Sequence, residues 1–176
     1  PSVFTSMALL LERAGSISSR RAGEAGGSIT GLYTILVDGD DMTEPIADAA
    51  RGILDGHLIL SRRLAQKGHF PAVDVLDSVS RVADDVTDAD HQEARRWACR
   101  LLALYREVED LVQIGAYAKG SSADSDTAIE YQKSLFDLLR QGKGDATPFV
   151  NARKLLLALA KESKDYATKL TKAKGR

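Results

Sequence analysis

The chain carries one cysteine, four prolines and two methionines among 176 residues, and aromatic residues make up 6% of it. Cys99 therefore has no internal partner for a disulfide. With His57, His69 and His91 scattered singly, no cysteine–histidine cluster has the spacing of a zinc site. In its helical context between Ala98 and Arg100, Cys99 reads as a small packed side chain, with a nucleophile as the alternative. No apolar run approaches the roughly 18 residues of a membrane-spanning helix, so any membrane association is expected to be peripheral. Nothing resembles a signal peptide. An excess of one charge is missing too: 24 Lys and Arg against 25 Asp and Glu leave a net charge of -1. That balance gives no general attraction to nucleic acid or to an anionic membrane.

What is present is an ordinary globular composition, 44% hydrophobic and 28% charged, with enough chain for one sizeable core or two small ones. "PSVFTSMALLLERAG" opens without an initiator methionine on an amphipathic helix carrying Phe4, Leu10 and Leu11, and truncation is the expected origin of that start. Residues 15–28, rich in Gly and Ser, read as a surface loop, and "SITGLYTILVDG" reads as a strand ending in an Asp-Gly turn. Pro45 is placed to open a helix through "IADAARGIL". "HLILS", "RRLAQKG" and "AVDVL" then read as strand, helix and strand. This alternation is the rhythm of an α/β domain with a parallel sheet.

After Arg81 the pattern changes. From about Asp90, Trp97, Leu101, Leu104, Tyr105, Val108, Leu111 and Val112 recur at helical spacing, with Asp88 or Asp90 as cap and Gly115 as terminator. Trp97 and the Leu stripe are expected in the core. Two further helices are predicted, over about 127–140 and 148–170. A boundary near residue 87 separates an α/β part, 1–87, from an all-α part, 88–176.

"HFPAVDVLDSVSRV", residues 69–82, ends an apolar run on an arginine. A guanidinium there needs an anion, either a carboxylate of a neighbouring helix or a phosphate. The surrounding spelling bears on the choice. The stretch from "GSITGLYTILVDG" through "GDDMTEPIAD", "ILDGHLILSR" and "HFPAVDVLDSVSRV" closely resembles the rotary and type III secretion family of P-loop ATPases. It is most similar to the flagellum-specific export ATPases, with the virulence-type secretion ATPases a near second. "EVEDLVQIGAYAKGS" and "FDLLRQG" extend the likeness to about Gly142; from Asp145 onward little is recognisable.

The resemblance implies the C-terminal part of a RecA-like P-loop nucleotide-binding domain followed by a helical C-terminal domain. In that family the phosphate-binding loop, the Mg2+ ligands and the carboxylate that orients water lie N-terminal to the stretch matched here. The sequence contains no GxxxxGK[ST]. The resemblance thus implies ATP and Mg2+ as cofactors, with the metal's ligands upstream, and a chain that does not hydrolyse ATP alone. An α/β sheet lacking its central strands would expose edges and apolar area, so marginal stability or aggregation is expected of the isolated piece.

By the same likeness Arg81 falls where the family places an arginine finger acting on the nucleotide of the adjacent subunit. Phe70 falls where it carries an aromatic ring against adenine, and Leu139 and Gln141 fall in the segment covering the base's other side. Asp40, Asp41 and Glu44 read as a solvated acidic turn, or, by resemblance, as a pore loop facing the central stalk. Implied partners are further copies in a homohexamer, a central stalk protein, a negative regulator, export-gate components, and export chaperones or substrates met by the helical domain. The implied setting is cytoplasmic, at the inner face of the cytoplasmic membrane. Other readings stay open: a non-catalytic helical interaction module lacking the P-loop, and a subunit of a proton-driven ATP synthase. The basic tail, with Lys161, Lys164, Lys169, Lys172, Lys174 and Arg176, reads as a solvated helix end or a contact for acidic partners.

Overall fold

The structure, a computed structural model, describes residues 2–17, 26–37, 39 and 41–174. The chain divides into two compact units, residues 1–57 and 58–176. In the first, α1 (Ser2–Leu11) buries Leu11 and packs with α2 (Pro45–Ile53), which buries Ala47 and Ala50. Pro45 opens α2 as the sequence predicts, because its missing N–H is one that no helical turn would use. Arg51 then donates from Nη1 to the Met42 carbonyl at 3.2 Å and ties the helix to the preceding turn.

The segment expected as a loop contributes strands at both ends. β1 (Gly15–Ile17) and β2 (Gly27–Ile29) pair antiparallel, with Gly15 opposite Ile29 and Ser16 opposite Ser28. Residues 18–25 between them lie outside the described residues. The strand expected from Ser28 onward stops at Ile29, and residues 30–37 form no strand. A β-branched, apolar stretch becomes a strand only where a neighbour accepts its backbone hydrogen bonds, and among the described residues none pairs with this one. Leu32 and Leu36 are 94% and 89% exposed, and Tyr33 tethers the stretch through its hydroxyl, which donates to the Leu10 carbonyl at 3.3 Å.

In the second unit β3 (Gly56–Leu60) and β4 (Val73–Ser80) form a two-stranded sheet, linked through α3 (Arg62–Gln66). Ser61 caps α3, accepting at Oγ from the Leu64 N–H. β4 continues past the residues expected as a strand and takes in Ser78 and Ser80. Ser78 explains the extension: its Oγ donates to the Asp74 carbonyl at 2.5 Å and accepts the Ile59 N–H at 3.0 Å, so a polar side chain bridges the pair.

Three helices follow, α4 (Ala89–Gln113), α5 (Ala123–Leu139) and α6 (Phe149–Lys174). Asp88 is the cap of α4, accepting from the His91 N–H at 2.9 Å, and Gly115, at φ 70°, follows its end. α5 begins four residues earlier than expected because Ser122 caps it and the buried Asp126 accepts from the Tyr117 hydroxyl and the Gly120 N–H. That carboxylate fixes the preceding loop onto the helix. Ala98, Leu101, Ala128 and Leu135 are the buried centre of the bundle, with Trp97, Leu104 and Leu159 packed around them. Trp97, Leu101 and Leu104 are thus in or against the core, as expected, whereas Leu111 at the far end of the stripe is 45% exposed; the indole N–H donates to the buried Ser163 hydroxyl at 2.8 Å. Lys164 of the basic tail pairs with Glu93, while Lys161, Lys169 and Lys172 are exposed. The side chain of Lys174, and Arg176, lie outside the described residues.

The strand pair is held to this bundle by charge. Asp74, 5% exposed, receives Arg106 Nη2 at 2.5 Å, and the more exposed Asp77 receives Nη1 at 3.1 Å. Asp74 Oδ1 also accepts the Leu76 and Asp77 N–H groups at 3.1 and 3.3 Å, so this one oxygen meets three donors. Burial pulls the Arg106 guanidinium down, and its hydrogen bonds to Asp74 and Asp77 outweigh this and raise it. Removing the cation strands a buried carboxylate. Arg106→Gln is expected to lower the stability of this unit by about 2–3 kcal/mol, less than for a wholly enclosed pair because the arginine is partly solvated. Asp77→Asn is expected to cost under about 1 kcal/mol. Urea unfolding of the two variants checks the order; equal losses would remove Asp74 as the anchor.

Candidate functional site

The link from α3 to β4 positions the first candidate. Lys67 caps α3, and Gly68 follows at φ 68°, a backbone region costly for other residues. The Gly68 N–H then donates to Ala65 O at 3.0 Å and the His69 N–H to Leu64 O at 2.9 Å. This pair of reversed bonds is the Schellman ending, which turns the next side chain inward against the helix it closes. His69 occupies that inward place and is 3% exposed. Phe70, one residue on, joins Pro71 through a cis peptide bond, and its ring is 55% exposed.

The second candidate group arrives from α5. The helix stops at Leu139, Arg140 leaves the helical region at ψ 139°, and the Gln141 N–H donates to the Phe70 carbonyl at 2.9 Å. The fold thereby brings Phe70 and Gln141 together across 71 positions of sequence, with the half-buried Leu139 beside them in the chain. Phe136 is the hub beneath this joint. His69 meets it edge-on at 5.5 Å between ring centroids, Tyr105 does so at 5.9 Å, and the Arg140 guanidinium lies 5.6 Å from its centre. These groups line a cavity of about 80 Å³ between β4, α3, α4 and α5.

Two features of this cluster were not visible as function in the sequence: His69, which fits no metal site, and Phe136 with Arg140. The usable signal was Gly68, since a glycine closing a helix predicts that the residue after it packs inward. Burial holds the His69 imidazole below its usual range, and the Arg140 charge pushes the same way. Its Nδ1 is buried with no hydrogen-bond partner among the described residues. Leaving a buried polar atom without a partner costs about 1–3 kcal/mol.

Arg81 stands apart, exposed in the turn that follows β4. The carboxylates nearest in sequence on that strand, Asp74 and Asp77, are already committed to Arg106. The acidic turn lies in the first unit. Asp40 falls outside the described residues. Asp41 accepts the Thr43 hydroxyl at 2.5 Å and the Thr43 N–H at 2.9 Å, and these bonds hold its exposed carboxyl below the usual range. Glu44 is the half-buried residue before α2 and makes no side-chain cap to it.

A second, apolar cavity of about 260 Å³ lies between β4 and the three helices and takes in Cys99, Leu138, Leu139 and Phe149. Burial raises the Cys99 thiol, against a smaller opposing effect of Arg95, which favours the packed thiol over a thiolate. Among the described residues no group of three or more His, Cys, Asp and Glu could hold a metal ion. No described helix is long and apolar enough to cross a membrane.

Residues 1–80 match the nucleotide-binding domain of the ATP synthase alpha/beta family, and residues 87–158 match the T3SS EscN ATPase C-terminal domain. Over 149 residues the chain is 54% identical to the flagellum-specific ATP synthase of Treponema pallidum (strain Nichols), a match covering 85% of this chain and 32% of that protein. It superposes on the assembled ATPase EscN of the enteropathogenic E. coli type III secretion system with a TM-score of 0.82 at 39% identity, covering 91% of this chain and 37% of EscN. On EscN in complex with its central stalk EscO the TM-score is 0.77 at 38% identity, with 91% and 36% covered. The chain spans about a third of the length of the curated relatives it matches. It belongs to the ATP synthase alpha/beta family, in the branch that joins this nucleotide-binding domain to the T3SS EscN ATPase C-terminal domain.

Proposed function

We propose that the chain is the C-terminal part of an ATPase that energises flagellar or type III protein export, working as a homohexamer on Mg-ATP. Residues 1–87 would complete a RecA-like domain with a parallel sheet, and 88–176 would form the helical domain that meets chaperones and export substrates. The observation that carries the reading is the joint between Phe70 and Gln141. An exposed aromatic ring and the end of a helix, predicted as the two sides of one base pocket, are bonded backbone to backbone at 2.9 Å.

That joint fits an adenine. A flat ring 55% exposed offers a stacking face, and Leu139 supplies apolar cover from the other element. The magnesium ligands and the phosphate loop would lie upstream in the whole protein. When bound, the metal supplies charge neutralisation on the phosphate oxygens. The work of this segment's own residues is narrower. Phe70, Leu139 and Gln141 hold and orient the base, and Arg81, fixed at the end of β4, offers its guanidinium to the nucleotide of the adjacent subunit. There it would offset the charge that spreads over the phosphoryl oxygens in the transition state, an effect of about a thousandfold or more in rate. The exposed carboxylate of Asp41, with Asp40 and Glu44, would meet basic residues of a central stalk as the ring turns it. The assembly would sit at the cytoplasmic face of the membrane, in peripheral contact, with an export gate and a negative regulator as further partners.

In the full-length ATPase, Arg81→Ala is expected to lower kcat by about a thousandfold while leaving ATP affinity within a few-fold, as befits a residue acting only on the transition state. Near-normal turnover would remove the assignment. Reversing the charges of Asp40 and Asp41 to lysine is expected to abolish stimulation of ATPase activity by a stalk protein. Intact stimulation would return the loop to a solvated turn.

A further inference from the structure

We propose that His69 is a positioning residue for the nucleotide base: wedged edge-on against Phe136, its side chain keeps the Phe70 carbonyl on the Gln141 amide and so sets where the Phe70 ring stands. The inference rests on the reading of Phe70 as the ring that faces adenine. Three observations carry it. The Schellman ending of α3 commits the residue after Gly68 to an inward direction. The 3% exposure of His69 and its 5.5 Å contact with Phe136 make that direction a lock rather than a tendency. The chain leaving His69 then runs to the end of α5, where the Gln141 N–H closes on the Phe70 carbonyl, in the Phe70–Pro71 peptide, at 2.9 Å. Moving the imidazole moves the ring next to it.

The lock depends on a neutral imidazole. The titratable and charged groups around its cavity are Arg63 and Lys67 from α3 and its cap, Asp74 from β4, Tyr105, Arg106 and Glu109 from α4, and Arg140 just past α5. Both carboxylates are engaged elsewhere: Asp74 with Arg106 and two backbone N–H groups, Glu109 with Lys67 at 2.8 Å. A proton added to His69 therefore finds no anion to meet it, and it faces Arg140, whose charge already disfavours it. Nδ1, without a partner when neutral, would become a donor with no acceptor. Protonation thus expels the ring from its seat. With the folded-state pKa held low, this stabilisation is complete above the ordinary imidazole range and is lost as pH falls below it.

The test is the steady-state kinetics of ATP hydrolysis by the full-length ATPase between about pH 8 and pH 5.5, for the wild type, His69→Phe, His69→Ala and Phe70→Ala. In the wild type KM for ATP is expected to rise by up to about tenfold per pH unit below the folded-state pKa, because only the neutral form is competent. His69→Phe keeps a ring on Phe136 and cannot titrate. It is expected to match the wild-type KM at neutral pH, to lose the rise, and to leave kcat within about twofold throughout. His69→Ala is expected to show the raised KM at every pH. The inference is overturned if His69→Phe retains the wild-type pH profile, or if His69→Ala binds ATP normally while Phe70→Ala does not. If Phe70→Ala itself leaves KM unchanged, the base-facing reading of Phe70 falls, and the inference with it.

Discussion

The helical bundle and the strand that carries both candidate ends of the site are held in register by one buried carboxylate. Asp74 sits near the start of β4, 5% exposed, and takes a guanidinium N–H from α4 and two backbone N–H groups of its own strand. A charge so placed tolerates little displacement, because each of its bonds offsets part of the cost of removing it from water. Hydrophobic contact alone would let β4 slide over the bundle, since apolar packing has no direction. The directional bonds to Asp74 fix where along α4 the strand lies. They thereby fix Phe70, just before the strand, and Arg81, just after it. Ser78 performs the matching task within the sheet, tying Ile59 of β3 to Asp74 of β4 through one hydroxyl.

Where physical signals were local, the sequence could be read closely. The cap at Asp88, the stop at Gly115, Pro45 at the first turn of α2 and Trp97 in the core each follow from a residue acting on its own few neighbours, and each is found in the structure. Features set by distant partners were less legible. The stretch 30–37 has the composition of a strand and, among the described residues, none of the hydrogen-bonding neighbours that would make it one. β4 outruns its apolar run because Ser78 finds a partner 19 residues away. The early start of α5 depends on Asp126, whose burial is repaid by a tyrosine hydroxyl and a glycine N–H in the loop before it. In a linear reading those serines and aspartates are turn formers.

The candidate site divides along the same line. Phe70, Leu139, Gln141 and Arg81 came from spelling, by likeness to a family, and no periodicity or spacing would have selected them. The structure joins Phe70 to Gln141 by a backbone bond between the strand's entry and the helix's exit. His69 shows the reverse case. Its type and spacing excluded a metal site and left no other role, yet the glycine before it carried the needed information. A helix closed through a left-handed residue presents its next side chain to its own last turn, so an imidazole there must either be buried or break the cap. It is buried, and the aromatic cluster around Phe136 is the consequence.

The arginine at the end of the apolar run raises a question that two different arginines answer. A guanidinium beside β4 needs an anion, and the carboxylates of that strand satisfy Arg106, which reaches them from the helix, while Arg81 leaves the strand for an exposed turn. The two positions suit different tasks. A cation enclosed among carboxylates and backbone donors has its field absorbed locally and serves to hold elements together. One carried in the turn after a strand is largely solvated, and the strand limits how far it can wander. The difference between them is one of solvation: the interior position is stabilised only by permanent partners, whereas water shares in stabilising the exposed one.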